Sequence, residues 1–148
     1  MADSTQQTDD IEALLGDFLP FAERMLLEHQ EFLPFGGYTK MSGEIVWEGA
    51  QNGEEMPLSI DLINILNDKH RELAEAREIR ACAIFYDIRI VPPNRQEKQD
   101  AICACVDHSS GYTASIIYPY TLSPAGELAV DPRYVIPGTA SIFPRANA

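Results

Sequence analysis

One segment of the chain, residues 80–91, is apolar on both faces of the extended strand that its residue types favour. As a strand, the segment is predicted to point Ala81, Ala83 and Phe85 to one side and their neighbours in the sequence to the other. Pro92-Pro93 ends the strand because proline cannot donate to a sheet ladder. A strand with two apolar faces needs cover on both sides, so the segment predicts a layered fold around a sheet.

Two amphipathic helices accompany this strand in the prediction. Apolar residues recur at helical spacing over residues 9–30 and again over residues 59–78. We expect Pro20 to kink or split the first helix, because it lacks an N–H and its ring clashes with the preceding turn. Ser59 has the residue type of an N-cap for the second helix.

Two strand candidates follow the first helix and three follow the second. Short turns join the strands, which favours antiparallel pairing. The prediction is a five-stranded, mainly antiparallel sheet with two helices in the order α-β-β-α-β-β-β, an α+β fold. Residues 1–7 are expected to form a disordered tail and residues 8–148 a single domain. At most one short extended piece is expected in the proline-rich last ~20 residues. The element order is similar to profilin-like and roadblock-like folds. The strands are predicted at residues 38–42, 44–50, 80–91, 100–107 and 112–120.

Charge and composition exclude several functional classes. The formal net charge of −12 repels phosphate backbones and argues against nucleic-acid binding. No apolar run approaches the ~20 residues that span a bilayer, and no secretory signal is recognisable at the N-terminus. Three cysteines, an odd number, argue against a disulfide framework. We therefore expect a protein of the reducing cytoplasm with no membrane contact.

The pair Cys103-x-Cys105 invites a metal-site interpretation, because residues two apart on a strand share a face. Structural zinc sites space their ligands as C-x₂₋₄-C and add a second pair, which this sequence lacks. Small buried core residues are the favoured interpretation of Cys82, Cys103 and Cys105. We expect no metal and no cofactor.

The three histidines give no clear indication of a catalytic or metal site either. Asp107-His108-Ser109 contains the residue types of a hydrolase triad, but consecutive residues cannot assemble that relay, and turn chemistry explains them. His29 and His70 are expected at the edges of their apolar stripes, with polar tips in water or bonded to backbone. No catalytic residue is assigned.

Two candidate surfaces follow from residue type. Arg89, Arg95 and Lys98 flank the loop after Pro92-Pro93 and could form a positive partner-binding edge on an acidic protein. Pairing with nearby acidic residues is the competing and favoured use of these cations. An aromatic ligand pocket is the second candidate, and it would be built from four residues: Tyr86, His108, Tyr118 and Tyr120.

The element Phe32-Leu33-Pro34-Phe35-Gly36 resembles an F-x-P-F-G element shared by a group of small uncharacterised bacterial proteins. The resemblance extends loosely over residues 31–143, and its matched residues are turn formers and aromatics. It carries over no activity, cofactor or catalytic residue. Some such small acidic proteins look like immunity or accessory factors that bind a partner protein. The matched segments are residues 31–37, 43–44, 88–93, 98–102, 111–112 and 119–120.

The first functional expectation is a non-enzymatic cytoplasmic protein that binds another protein, as an accessory or immunity-like factor. A homodimer is expected, with an apolar sheet face as the contact surface, because soluble monomers rarely leave such a face uncovered. The alternative is a small enzyme or ligand-binding domain that uses the aromatic pocket. A concave site with convergent polar groups favours the alternative, and an exposed apolar patch favours the first expectation.

Overall fold

The computed structural model describes residues 2–93, 95–138 and 142–144, with side chains described from residue 5 onward. Within these residues the chain is an α+β fold with two helices and one antiparallel sheet, as predicted. The helices are α1 at Ala2–His29 and α2 at Ser59–Glu75. The strands are β1 Phe35–Lys40, β2 Ile45–Glu48, β3 Ile79–Ile90, β4 Gln99–His108, β5 Thr113–Leu122, β6 Leu128–Val130 and β7 Tyr134–Pro137.

The described sheet has seven strands, so the prediction of five was wrong. Its order is β2-β1-β3-β4-β5-β6, and β7 also pairs with β5. Both additional strands come from the proline-rich C-terminal segment, in which at most one short extended piece was expected. Proline is compatible with the edge of a sheet, because the outward side of an edge strand has no neighbouring strand that needs a backbone N–H donor. The segment therefore forms two short strands along β5.

The helices lie on opposite faces of the sheet, which we call the α1 face and the α2 face. On the α1 face, Leu14, Phe18 and Leu26 of α1 pack against the alternate residues of β3 that include Ala83 and Phe85. On the α2 face, Ala74 packs with Cys82. The two apolar faces inferred for β3 are thus confirmed, and each has its own helix.

Helix ends differ from the prediction. The helix α1 begins at Ala2, within the segment that was expected to be a disordered tail, and it continues as one helix through the exposed Pro20. The helix α2 has Leu58 at its N-cap position, and no side chain of the described residues caps it, so the assignment of this role to Ser59 was wrong. The prediction of one domain over residues 8–148 remains a prediction.

A β-bulge in β3 has a consequence for the polar chemistry of the sheet. Thr39 pairs with Ala81 and Lys40 pairs with Ile79, which leaves Arg80 as the extra residue between them. A bulge of this kind re-aims the side chain of its unpaired residue. The guanidinium of Arg80 reaches Asp10 on α1 and the backbone carbonyl of Met41.

Candidate functional site

A surface hollow of about 480 Å³ lies between the C-terminal half of α1 and the strands β1 and β2. We call it the apolar groove. Its walls are mostly aromatic and aliphatic, with only two ionisable side chains among the lining residues. These residues are Phe21, Met25, His29, Glu31, Phe32, Leu33, Pro34, Phe35, Trp47, Gly49 and Ala50.

The sequence positions these groove residues by anchoring some of them in the core. Phe32 and Phe35 are buried and anchor the segment after α1 to the core. The ring of Phe35 stacks on Phe85 with centroids 5.2 Å apart, and Trp47 packs on Phe21 at 5.6 Å. Between these anchors, Leu33 and Trp47 remain 54% and 49% exposed. The groove is therefore a rigid aromatic floor with open apolar side chains at its rim.

Charges at this end of the molecule are mainly acidic. Glu31 lines the groove, and the exposed Glu28 lies on the last turn of α1. Arg24 pairs with Glu28 at 3.9 Å, and its guanidinium carbon lies 5.4 Å from the ring centroid of Phe21. An aromatic face of the groove thus already accepts one cation, as expected of a ring quadrupole.

A second hollow, of about 160 Å³, lies on the α2 face between α2 and strands β3 to β5. We call it the thiol hollow, because the half-buried Cys105 is one of its lining residues. Tyr86 Oη lies 3.2 Å from Cys105 Sγ, Ser115 Oγ lies 3.5 Å away and Cys103 Sγ lies 3.9 Å away. Hydrogen bonding, from Cys103 first and then from Ser115 and Tyr86, lowers the pKa of Cys105 against the opposing effect of burial.

The other cysteines behave as the sequence predicted. Cys82 and Cys103 are buried and carry free thiols. Burial, with a smaller contribution from the charge of Asp107, raises the pKa of Cys82 well above its ordinary value. Across the described residues, no three histidine, cysteine or acidic side chains come together in a way that could hold a metal ion.

A third polar cluster joins α1 to the β4–β5 turn. Asp10 Oδ2 lies 2.9 Å from His108 Nε2, and both oxygens of Asp10 accept hydrogen bonds of 3.0 Å from Arg80. The Ser110 backbone N–H donates to His108 Nδ1 at 3.0 Å, so Nδ1 is the acceptor and Nε2 carries the proton that Asp10 accepts. Asp107 contributes none of these bonds, and Ser109 contributes only its backbone N–H, which donates to the carbonyl of Arg80 at 2.9 Å.

The side chains of Asp10, His108 and Ser110 follow one another as in a hydrolase triad. Ser110 Oγ lies 3.0 Å from His108 Nδ1, on the opposite side of the ring from Asp10. Ser110 donates its hydroxyl proton to Gln7 Oε1 at 2.6 Å, and the lone pair of Nδ1 already accepts the backbone N–H. These bonds leave no base free for the serine. The interpretation of this turn from the sequence missed Asp10 and Arg80, because no local pattern links residues so far apart. The arrangement is a clamp that holds α1 against the sheet.

The aromatic pocket expected from sequence is not assembled. Tyr118 and Tyr120 pack on the α1 face, whereas Tyr86 packs on the α2 face with Cys103 and Cys105. His108 is six residues along β4 from Ile102, the partner of Tyr118, which places it ~20 Å away at the other end of the strand. Tyr120 instead donates a hydrogen bond to Asp87 at 2.8 Å.

The proposed positive edge is partly neutralised. Arg95 lies 3.9 Å from the carboxylate of Asp131, and Arg89 stands opposite Asp100 in the β3–β4 register. Lys98 and Arg95 line a shallow hollow at this edge that also contains Glu97. The pairing with an acidic residue that the sequence analysis favoured is therefore observed for Arg95.

His70 is the group whose position differs most from expectation. It was expected at the edge of the apolar stripe of its helix with a polar tip, but it is completely buried beneath α2, and among the described residues neither ring nitrogen has a hydrogen-bond partner. The nearest carboxylate oxygen, on Glu48, lies 3.8 Å from Nε2. Burial, with a smaller contribution from Lys69, lowers the pKa of His70 to about 4. His29 is exposed at the groove instead.

Comparison with protein-family models, with curated proteins and with solved structures finds no match for this chain. Among the described residues, no helix combines the length and the apolar character needed to cross a membrane.

Proposed function

We propose that this protein acts in the cytoplasm as a non-enzymatic binding protein, and that its apolar groove holds an amphipathic segment of a partner protein that carries basic residues. The observation behind this proposal is the apolar groove itself, with Leu33 and Trp47 half exposed over a rigid aromatic floor. A catalytic use would need convergent polar groups, and only His29 and Glu31 among the lining residues are ionisable.

The residue types of the groove are those that dominate binding energy at protein interfaces. Tryptophan and other aromatic residues supply a large contact area at low entropic cost, and they are enriched at hot spots. Met25, also in the lining, has a flexible thioether that adapts to different apolar partners. A helix that presents apolar anchors along one side matches an open groove of this type.

Charge favours a basic partner over a second copy of the chain. The net charge of −12 and the carboxylates of Glu28 and Glu31 attract cations to this end of the molecule. A second copy would bring another −12 to the contact and would be repelled at low salt. The homodimer remains a prediction, and its expected contact surface is not this groove.

Trp47 provides a direct test, because it is the single tryptophan of the chain and it lines the groove. Its emission is to be titrated with three helical peptides of equal length: a Leu/Lys amphipathic peptide, a Leu/Glu peptide and a Lys/Ser peptide without an apolar face. We expect a saturable blue shift with the Leu/Lys peptide only, weakened by salt. Equal responses to the Leu/Lys and Leu/Glu peptides would contradict the charge argument.

Two substitutions localise the binding. Leu33→Glu places a charge in the groove and is expected to weaken binding of the Leu/Lys peptide at least tenfold, about 1.4 kcal/mol. Met56→Glu adds the same charge at a residue that is 88% exposed and outside the groove lining, so it serves as the matched control. Equal losses in both variants would show that the peptide binds the acidic surface generally and not the groove.

A further inference from the structure

The thiol hollow is independent of the apolar groove and lies on the other side of the sheet. Asn67 of α2 forms part of its wall, and Cys105, Asp107 and Ser115 project into it from β4 and β5. Cys105 and Asp107 share a face of β4 because they are two residues apart. The hollow thus brings together a nucleophilic sulfur, hydrogen-bond donors and one carboxyl group.

Three donors surround the sulfur of Cys105. The Tyr86 hydroxyl, the Ser115 hydroxyl and the Cys103 thiol lie 3.2, 3.5 and 3.9 Å from it. A thiolate can accept a hydrogen bond from each of them, so the geometry stabilises the ionised form that acts as the nucleophile. Cys105 is half-buried and lines the hollow, which gives a reactant access to it, whereas Cys82 and Cys103 are buried.

Charge and size restrict what can react there. The carboxyl of Asp107, which accepts a hydrogen bond from Thr113 and interacts with the cation of Arg71 on α2, adds negative charge beside the sulfur when ionised. Anionic oxidants and anionic disulfides such as oxidised glutathione are repelled by this carboxylate and by the net charge of −12. A space of about 160 Å³ admits only a small molecule. A small neutral electrophile satisfies both limits, and hydrogen peroxide is such a molecule.

We propose that Cys105 is an oxidation site that reacts with hydrogen peroxide to give a sulfenic acid, with Tyr86 and Ser115 as positioning residues. The thiol first releases its proton to the solvent. The thiolate lone pair then forms an S–O bond while the O–O bond breaks, and the departing hydroxide takes up one proton from the solvent, so that the net products are the sulfenic acid and one water molecule. Sulfur loses two electrons and the peroxide gains them. A disulfide with Cys103 would require the sulfurs to close from 3.9 Å to ~2.05 Å along one paired strand, so the sulfenic acid is the expected product.

The experiment treats the full chain with hydrogen peroxide, traps sulfenic acid with dimedone and maps the adducts by peptide mass spectrometry. Cys82 and Cys103 are internal controls. We expect adduct at Cys105 to form roughly tenfold faster or more than at either control. Equal labelling of the three cysteines would overturn the proposal, as would a Cys103–Cys105 disulfide formed without any dimedone adduct.

Variants test the donors separately from the fold. Tyr86→Phe and Ser115→Ala each remove one hydroxyl and are expected to slow the reaction several-fold. They should also raise the pH at which iodoacetamide alkylation of Cys105 is half-maximal, which in the native protein should lie well below the ~8.5 of an ordinary cysteine. Tyr112→Phe, on the α1 face, is the matched control. A pH midpoint unchanged in both donor variants would refute their positioning role, because a loss of packing alone does not move it.

Discussion

The two faces of the sheet are covered by helices of different length, and their chemistry differs accordingly. The helix α1 has 28 residues and contacts β1, β3, β4 and β6. The helix α2 has 17 residues, and its main contacts are with β1 and β3. The long helix can cover the sheet with continuous aromatic and aliphatic packing. The short helix leaves β4 and β5 partly open, and the thiol hollow lies there.

The buried carboxylate and imidazole groups differ between the two faces in the same way. On the α1 face, the carboxylate of Asp10 is satisfied by Arg80 and His108. On the α2 face, the buried ring of His70 has no hydrogen-bond partner for either nitrogen within the described part of the chain. A fully bonded cluster stabilises a fold, whereas an unpartnered buried group costs free energy. We therefore expect the α1 face to supply most of the stability and the α2 face to respond most to solvent conditions.

Removing a core ring from the α1 face should have the largest effect. Phe85 is fully buried and packs against Phe18 and Phe35. Phe85→Ala should lower the free energy of unfolding by about 3–5 kcal/mol, because it removes buried area and leaves a cavity. Ile88→Ala, on the α2 side of the same strand and only partly buried, should cost about 1–2 kcal/mol. Urea denaturation of both variants would contradict the comparison if the two losses were equal.

Breaking the clamp between α1 and the sheet should have the next largest effect. Asp10→Asn leaves the guanidinium of Arg80 without its carboxylate and weakens the bond to His108. We expect a loss of about 3 kcal/mol, at the lower end for buried ion pairs because Arg80 is partly exposed. Arg24→Met breaks the exposed pair with Glu28 and should cost under about 1 kcal/mol. Similar losses in the two variants, measured by denaturation, would show that the clamp is an ordinary surface contact.

The fold was predictable from the sequence where a pattern was local. The segment at 80–91 reads as a strand because its β-branched and aromatic residues favour one, and β3 at Ile79–Ile90 matches it within a residue at each end. The alternation of Ala81 and Cys82 also predicted two covered faces. Strands β6 and β7 were missed, because their pairing depends on an exposed edge of β5 that only the folded sheet provides.

The candidate sites were harder to predict, because they join residues that are distant in the chain. The groove joins Phe21 on α1 with Trp47 on β2, and the clamp joins Asp10 with His108. The one usable signal for the groove was the run of apolar residues around Leu33 after a helix that had already ended. The thiol hollow was partly visible, since Cys103 and Cys105 share a strand face, but the donor Tyr86 belongs to the neighbouring strand.

Acid should destabilise the α2 face through His70. Its pKa is about 4 in the folded protein and ~6.5 in the unfolded chain, so the unfolded chain binds the extra proton between these values. The stability that this group provides is present above pH 6.5 and is lost as the pH falls towards 4, with a loss of about 2 kcal/mol at pH 5. Asp87 and Asp107, whose pKa values are raised to about 6 mainly by burial, change stability in the opposite direction.

The difference in unfolding free energy between the native protein and a variant without His70 separates the contribution of the histidine from that of these carboxyl groups. Native protein and a His70→Leu variant are to be compared by urea denaturation from pH 7.5 to pH 5. The free energy of unfolding of the variant should gain about 2 kcal/mol relative to the native protein over this range, because the variant lacks the titrating group. A pH-independent difference would show that His70 titrates normally and that the α2 face is not the acid-sensitive one.

The smallest effect concerns the ends of the two helices. Gln30 after α1 and Arg77 after α2 adopt the left-handed conformation, with φ of 64° and 59°. At the end of α2, Glu78 N–H donates to the carbonyl of Leu73, a bond that glycine at position 77 would support without a Cβ clash. Relief of that clash is partly offset by the greater freedom of glycine in the unfolded chain, so Arg77→Gly and Gln30→Gly should each stabilise by about 0.5 kcal/mol. Arg77→Ala keeps the Cβ and should give no gain. Arg77→Gly could leave the free energy of unfolding unchanged while Gln30→Gly raises it. That outcome would show that the end of α2 is already open in the native state. The contrast between the two faces would then extend to their dynamics.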